Sequence, residues 1–195
     1  MRPMHIVFLE NHDSFSWNVI DALPASRSDV SVVSPEERRR FDELLPEADA
    51  VVIGPGPLDP ERAGLVQFVL KCVERSTPLL GICLGYQAIG LAFGARLHRT
   101  DPVHGRRFDI RFGASRHFAG IEGVTTVMRY HSLCLTSVRS PLRVIARTDD
   151  GLPMAIEHET LPIAGLQFHP DSFGTPRGTE MIASFFRAAV PGVRA

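Results

Sequence analysis

A cysteine between two glycines, and a histidine two residues before an aspartate, are the groups best suited to covalent chemistry in this chain. The cysteine lies in Leu79-Leu80-Gly81-Ile82-Cys83-Leu84-Gly85-Tyr86-Gln87. The apolar run from Pro78 to Ile82 reads as a buried strand, and a helical pattern follows from Tyr86 to Phe93. Gly-x-Cys-x-Gly between them has the layout of a nucleophile elbow, a strained strand-to-helix turn that presents a reactive side chain. Gly81 and Gly85 let backbones pack closely around the bend, and the positive end of the helix favours a thiolate. Such a short motif also arises by chance, and a lone thiol after an apolar run is as often a structural cysteine.

The histidine stands in Gly165-Leu166-Gln167-Phe168-His169-Pro170-Asp171. Ile163 to Phe168 reads as another buried strand. That puts His169 at its C-terminal end, the edge where open α/β sheets carry their sites. A thiol nucleophile needs a base within reach and a group that fixes the base's tautomer. Asp171 is near enough in sequence to orient the imidazole, so Cys83, His169 and Asp171 are the candidate catalytic residues. A third stretch, Gly54-Pro55-Gly56-Pro57, follows the strand pattern Ala50 to Ile53 and shares that sheet edge. Its prolines stiffen the loop, and Gly56 lets a backbone N–H approach a ligand; an ordinary turn is the alternative.

These stretches need a sheet to bring them together. Strand patterns at His5 to Leu9, Val30 to Val33, Ala50 to Ile53 and Leu79 to Ile82 alternate with helical ones at Ser14 to Leu23, Pro60 to Glu74 and Tyr86 to Phe93. That alternation predicts an α/β fold with an open, mostly parallel central sheet and helices on both faces. Ser14 is a candidate cap for the first helix, and Pro60 suits the first turn of the second. Further on, strand patterns run Arg107 to Phe112, Val124 to Met128, Leu142 to Arg147, Met154 to His158 and Ile163 to Phe168. Asp149-Asp150-Gly151 marks a hairpin, so an antiparallel region is expected in the second half. A last helix is expected over Thr179 to Ala189. The 195 residues hold no linker, repeat or low-complexity tract, and one domain spanning 1–195 is expected.

Bulk properties remove several classes of function. A net charge of -1 lacks the basic excess of a nucleic-acid binder. All but one of the 21 Lys and Arg residues are Arg, Lys71 being the exception, which reads as compositional bias. Glu36-Glu37-Arg38-Arg39-Arg40 reads as a solvated loop or helix end. The 3 cysteines and 8 histidines show no metal-ligand spacing, so neither a metal nor a cofactor is expected. Cys72 and Cys134 are expected to be structural. The N-terminus runs straight into a strand pattern, and no apolar run spans a membrane, so a cytoplasmic location is expected.

The ordered set Glu10-Asn11-His12-Asp13-Ser14-Phe15, Gly54 to Pro57, Gly81 to Gln87, Arg129-Tyr130-His131-Ser132-Leu133 and Gly165 to Asp171 resembles the class I glutamine amidotransferases, whose fold is flavodoxin-like. The likeness runs from about Ile6 to about Phe186 and is strongest to the small glutaminase subunits that serve anthranilate and aminodeoxychorismate synthases. It implies that Cys83 attacks the amide of L-glutamine with His169 as base, forming a thioester and releasing ammonia to a larger chorismate-utilising synthase subunit. It implies an oxyanion hole from the backbone of Gly56 and Leu84. It places glutamine against Gly56, Pro57, Leu58, Gln87, Ser132 and Leu133. His131 alone reads as structural.

Two positions depart from the family pattern. Asp171 stands where the family has Glu, one methylene longer, and Leu58 replaces the last glycine of Pro-Gly-Pro-Gly. Neither removes the nucleophile or the base. Other readings are an amidotransferase for a different acceptor, such as a nucleotide, and a regulatory pseudo-glutaminase.

Overall fold

Short, mostly aliphatic runs only four residues long build the centre of the molecule, and four of the five are apolar throughout because both of their faces are covered, the edge strand with Ser31 being the exception. In the computed structural model, which describes residues 3–100 and 105–193, these runs are β1 (Ile6–Leu9), β2 (Val30–Val33), β3 (Ala50–Ile53), β4 (Leu79–Ile82) and β11 (Ile163–Leu166). They lie in the order β2-β1-β3-β4-β11, all parallel. Alternate side chains face opposite ways. Ile6, Phe8, Ala50 and Val52 pack with α1 (Ser16–Ala22) and α5 (Gly178–Ala189). Val7, Leu9, Val51 and Ile53 pack with α2 (Arg38–Leu44), α3 (Val66–Arg75) and α4 (Leu84–Ala92).

The antiparallel region continues the same sheet. Beyond β11 come β10 (Pro153–His158), β9 (Leu142–Thr148), β6 (Arg106–Phe112) and β7 (Gly123–Arg129), giving nine strands. The hairpin at Asp149-Asp150-Gly151 joins β9 to β10, with Gly151 at φ 89°. From β7 the chain leads into Tyr130, His131, Ser132 and Leu133, which line one cavity together with Cys83. No helix among the described residues is long and apolar enough to cross a membrane.

Two local expectations differ from the structure, and a small second sheet was not expected. Helix α1 starts at Ser16, because the carboxylate of Asp13 accepts the Phe15 N–H at 2.8 Å and forms the entry turn; Ser14 makes no cap. Helix α3 starts at Val66 rather than Pro60. Asp59 organises a separate turn, accepting the Arg62 N–H through its side chain at 2.9 Å, and Gly64 at φ 64° breaks the path into the helix. Finally, β5 (Arg96–Arg99) and β8 (Leu133–Thr136) pair as a small second sheet. Three of the four β5 side chains are polar, so no apolar alternation announces that strand.

The C-terminal ends of the parallel strands all meet one edge. There β1 gives way to Glu10–Phe15, β3 to Gly54–Pro57, β4 to Cys83 and β11 to Gln167–Asp171.

Candidate active site

Cys83 sits between β4 and α4 at φ 53° and ψ -96°, a backbone region that costs a non-glycine residue roughly 1–3 kcal/mol. Its surroundings enforce that geometry. The Cys83 N–H donates to the Leu166 carbonyl at 2.8 Å, anchoring the turn to β11. At Gly85 any Cβ would stand 2.1 Å from the Ile53 carbonyl oxygen, so only glycine lets α4 settle this closely on β3. Cys83 is the residue immediately before a nine-residue helix, so it stands at the helix N-terminus. Cys72 and Cys134 are buried in the core, away from such a turn.

His169 is held through its backbone. Its N–H donates to the Met128 carbonyl at 3.1 Å, and its carbonyl accepts the Thr175 hydroxyl at 2.7 Å. The Met128 N–H donates to that same hydroxyl at 3.0 Å, tying β7 to the loop. Edge-on contacts from Tyr130 and Phe15, with centroids at 4.9 and 5.6 Å, fix the plane of the imidazole. Burial opposes charging of the ring. Attraction from the neighbouring Asp171 carboxylate and Cys83 sulfur outweighs it and holds the His169 pKa above the ordinary imidazole value.

Asp171 is placed less tightly. Its Oδ1 is 3.4 Å from His169 Nδ1, an ion-pair contact without the alignment of a hydrogen bond. Both carboxylate oxygens are sealed from solvent with no hydrogen-bond partner among the described residues. A buried acceptor without a donor is costly.

A cavity of about 270 Å³ opens beside the sulfur. Gly56, Pro57, Leu58, Cys83, Leu84, Gln87, Ser132 and Leu133 line it, together with Tyr130 and His131. Every residue expected to contact substrate or the oxyanion is thus brought to one place, and His169 and Asp171 lie at the adjoining end of β11. Leu84 is the first residue of α4, where backbone N–H groups have no acceptor within the helix. A Cβ on Gly56 would stand 2.6 Å from Leu84 Cδ2 and 2.7 Å from Asn11 Cβ, so the two candidate donor positions are packed together. Asn11 clamps this loop, donating from Nδ2 to the Gly54 carbonyl at 2.8 Å. Leu58, 52% exposed, lines this cavity and also a neighbouring one of about 190 Å³ with Asn11 and His12.

Sequence alone points to no role for Gln167, Tyr130 or Arg129. Gln167 is fully buried; its Nε2 donates to Cys83 Sγ at 3.8 Å and its Oε1 accepts from Gln87 Nε2 at 3.3 Å. Gln87 Nε2 also donates to the Leu133 carbonyl at 3.4 Å. That carbonyl accepts from His131 Nδ1 at 2.9 Å, and Arg129 Nε donates to His131 Nε2 at 3.2 Å. Burial, reinforced by the Arg129 charge, pushes the His131 pKa down to about 4, so His131 is neutral and structural. A signal for Gln167 does exist in the sequence: a long polar side chain at the end of an apolar strand, where burial demands a partner.

This arrangement offers a thiol at a helix N-terminus, a base beside it and the Gly56 loop packed on Leu84, all around a cavity of amino-acid size. Those are the parts of an acyl-transfer centre. Comparison with known proteins agrees with that chemistry. The family model described as glutamine amidotransferase class-I matches residues 7–189. Anthranilate synthase component 2 of Mycobacterium tuberculosis is 39% identical over 188 residues, covering 93% of this chain and 81% of that protein. Aminodeoxychorismate synthase component 2 of Klebsiella aerogenes is 33% identical over 183 residues, covering 92% and 98%. Aminodeoxychorismate synthase of Streptomyces pristinaespiralis is 39% identical over 191 residues, but the match spans only 26% of that longer protein. A solved structure from Thermoplasma acidophilum, described as a GMP synthase subunit, superposes with a TM-score of 0.84 at 22% identity, covering 96% of this chain and 94% of that one.

Proposed function

This chain belongs to the class I glutamine amidotransferases, and from that premise we propose that it is the glutaminase subunit of a chorismate-utilising synthase of the anthranilate or aminodeoxychorismate type. The observation that carries the reading is the strained Cys83 at the N-terminus of α4, opening onto a cavity lined by Gly56, Gln87 and Leu133.

In this reading the Cys83 thiolate attacks the side-chain amide carbon of L-glutamine. The oxygen of the tetrahedral intermediate takes hydrogen bonds from the Gly56 and Leu84 N–H groups. His169, charged by the thiol proton, protonates the leaving nitrogen. Ammonia departs, and a γ-glutamyl thioester remains on Cys83. His169 then activates water, which releases glutamate and restores the thiol. Asp171 stabilises the imidazolium through its charge, and closer approach would also fix the tautomer.

Free ammonia is protonated in neutral water and diffuses away, so glutamine hydrolysis is useful only when a synthase is docked. The exposed Leu58 and the Asn11 clamp make the Gly54–Pro57 loop responsive to a partner on this edge. The isolated chain is expected to hydrolyse glutamine slowly and to accelerate when the synthase binds.

The test is synthesis by the reconstituted complex with either glutamine or ammonium salt as nitrogen source. Cys83→Ser should abolish the glutamine-dependent reaction and leave the ammonium-dependent one intact, because an alcohol ionises far less readily than a thiol. Equal loss of both would give Cys83 a structural role instead.

A further inference from the structure

The contacts of Gln167 have a directionality that can be worked out from groups whose hydrogen-bonding roles are fixed. A carbonyl oxygen only accepts and a guanidinium only donates. The Leu133 carbonyl therefore requires the N–H side of the Gln87 amide, and it requires the proton of His131 on Nδ1. Arg129 independently requires His131 Nε2 to be the bare acceptor, so the two anchors agree. With Gln87 Nε2 committed as a donor, the atom of Gln167 facing it must be the oxygen. That leaves the Gln167 N–H pointing at Cys83 Sγ, 3.8 Å away, on a side chain fully out of solvent.

We infer that Gln167 is a further catalytic residue, donating an N–H to the Cys83 thiolate and holding Gln87 with its amide oxygen free for the donor groups of glutamine. The inference rests on the glutaminase reading for its substrate, but its thiolate arm stands on geometry alone. Charge on sulfur is greatest before attack and again when water displaces the thiolate from the thioester. A donor in a dry site strengthens both states without needing to move. The second arm concerns selection. Gln87 Nε2 is spent on Leu133 and Gln167, so this side chain offers substrate an acceptor. Reversing the Gln87 amide would break both of those bonds.

The test combines two measurements on the full chain. Iodoacetamide alkylation of Cys83, followed peptide by peptide across pH, reads the thiolate without any glutamine turnover. Steady-state glutaminase activity in complex with the synthase reads kcat and KM separately. Gln167→Met keeps the length and removes both polar atoms. It should move the alkylation profile up by about one pH unit, lower kcat by about 10- to 100-fold and raise KM for glutamine several-fold, as loss of a hydrogen bond to a charged group implies. Gln167→Glu keeps the shape and places an acceptor or a negative charge against sulfur, so it should move the profile further. Both variants are to be compared at matched far-ultraviolet circular dichroism. A structural role would change neither the profile nor the ratio of kcat to KM effects in the folded fraction. An alkylation profile of wild-type shape in Gln167→Met overturns the inference, whatever glutamine turnover does. Wild-type chain that alkylates readily at Cys83 but never turns over glutamine in the complex would defeat the glutaminase reading, while the same profiles still judge the thiolate contact.

Discussion

On one side of Cys83 stand His169 and Asp171, buried and charged, in a 3.4 Å contact that lacks hydrogen-bond alignment. On the other stand Gln167, Gln87, Leu133 and His131, neutral and joined by hydrogen bonds from the sulfur as far as Arg129. The difference shows how a site divides its tasks. The neutral side sets shape, because its chain of hydrogen bonds fixes the orientation of each side chain in it. The charged side must change protonation during reaction, and its aspartate meets the imidazole through an ion-pair contact alone. Perturbing the charged side should therefore alter rate, and perturbing the neutral side beyond Gln167, whose N–H meets the sulfur itself, should alter fit and stability.

The largest expected effect tests the charged side. Asp171→Asn keeps the shape but removes the charge that stabilises the imidazolium. A loss on the order of ten- to a thousandfold in kcat is expected, below the roughly ten-thousandfold of the matching serine-protease change, because a thiol ionises more readily than an alcohol. Asp171→Glu should retain activity or raise it, since the extra methylene closes the gap. Stopped-time glutamate release in the complex checks both. A wild-type rate in Asp171→Asn would reduce the centre to a Cys83–His169 dyad and erase the contrast between the two sides.

A smaller effect is expected on the neutral side. Arg129→Met deprives His131 of its donor and loosens the Leu133 carbonyl that holds Gln87. KM for glutamine should rise about three- to tenfold with a lesser change in kcat, in keeping with a hydrogen bond of modest net worth. A fall in kcat with unchanged KM would move Arg129 to the rate-setting side.

How much of this division could be read from residues alone varies across the molecule. The parallel strands were legible because β1, β3 and β4 are uninterrupted apolar runs, and the elbow because Gly81, Cys83 and Gly85 stand in fixed spacing. Clustering of Gly56, Gln87 and Leu133 around Cys83 followed from the family resemblance. Strand β5 was not legible: Arg96, His98 and Arg99 mask it, and its pairing with β8 is a tertiary fact. Nor was the link from Gln167 to Gln87, whose partners lie 80 residues apart in sequence and meet only once β11 pairs with β4. The Asp171 substitution was visible as a missing methylene, whereas its consequence, a sealed carboxylate without a hydrogen bond, required geometry.

The smallest effect sharpens the contrast through pH. His131 has its folded pKa pushed down to about 4, whereas an unfolded histidine titrates near 6.5. Between those values the unfolded chain binds the proton first, so stability falls as pH drops from about 6.5 to about 4 and this contribution levels off below. The loss assigned to His131 should be on the order of 1–3 kcal/mol. Urea unfolding at pH 7 and pH 4.5, compared with His131→Gln, isolates it from other acid-sensitive groups such as His158. An identical acid loss in His131→Gln would show that the neutral side is not held by an uncharged imidazole.

The central claim, that Cys83 forms a covalent γ-glutamyl intermediate, is tested most directly by trapping that intermediate. With glutamine and hydroxylamine present, the complex with synthase should form γ-glutamyl hydroxamate, and rapid acid quench should leave a γ-glutamyl adduct on the Cys83 peptide. Both signals should vanish in Cys83→Ser. Glutamine hydrolysis that persists in Cys83→Ser, or an adduct found on Cys72 or Cys134 instead, would contradict the account.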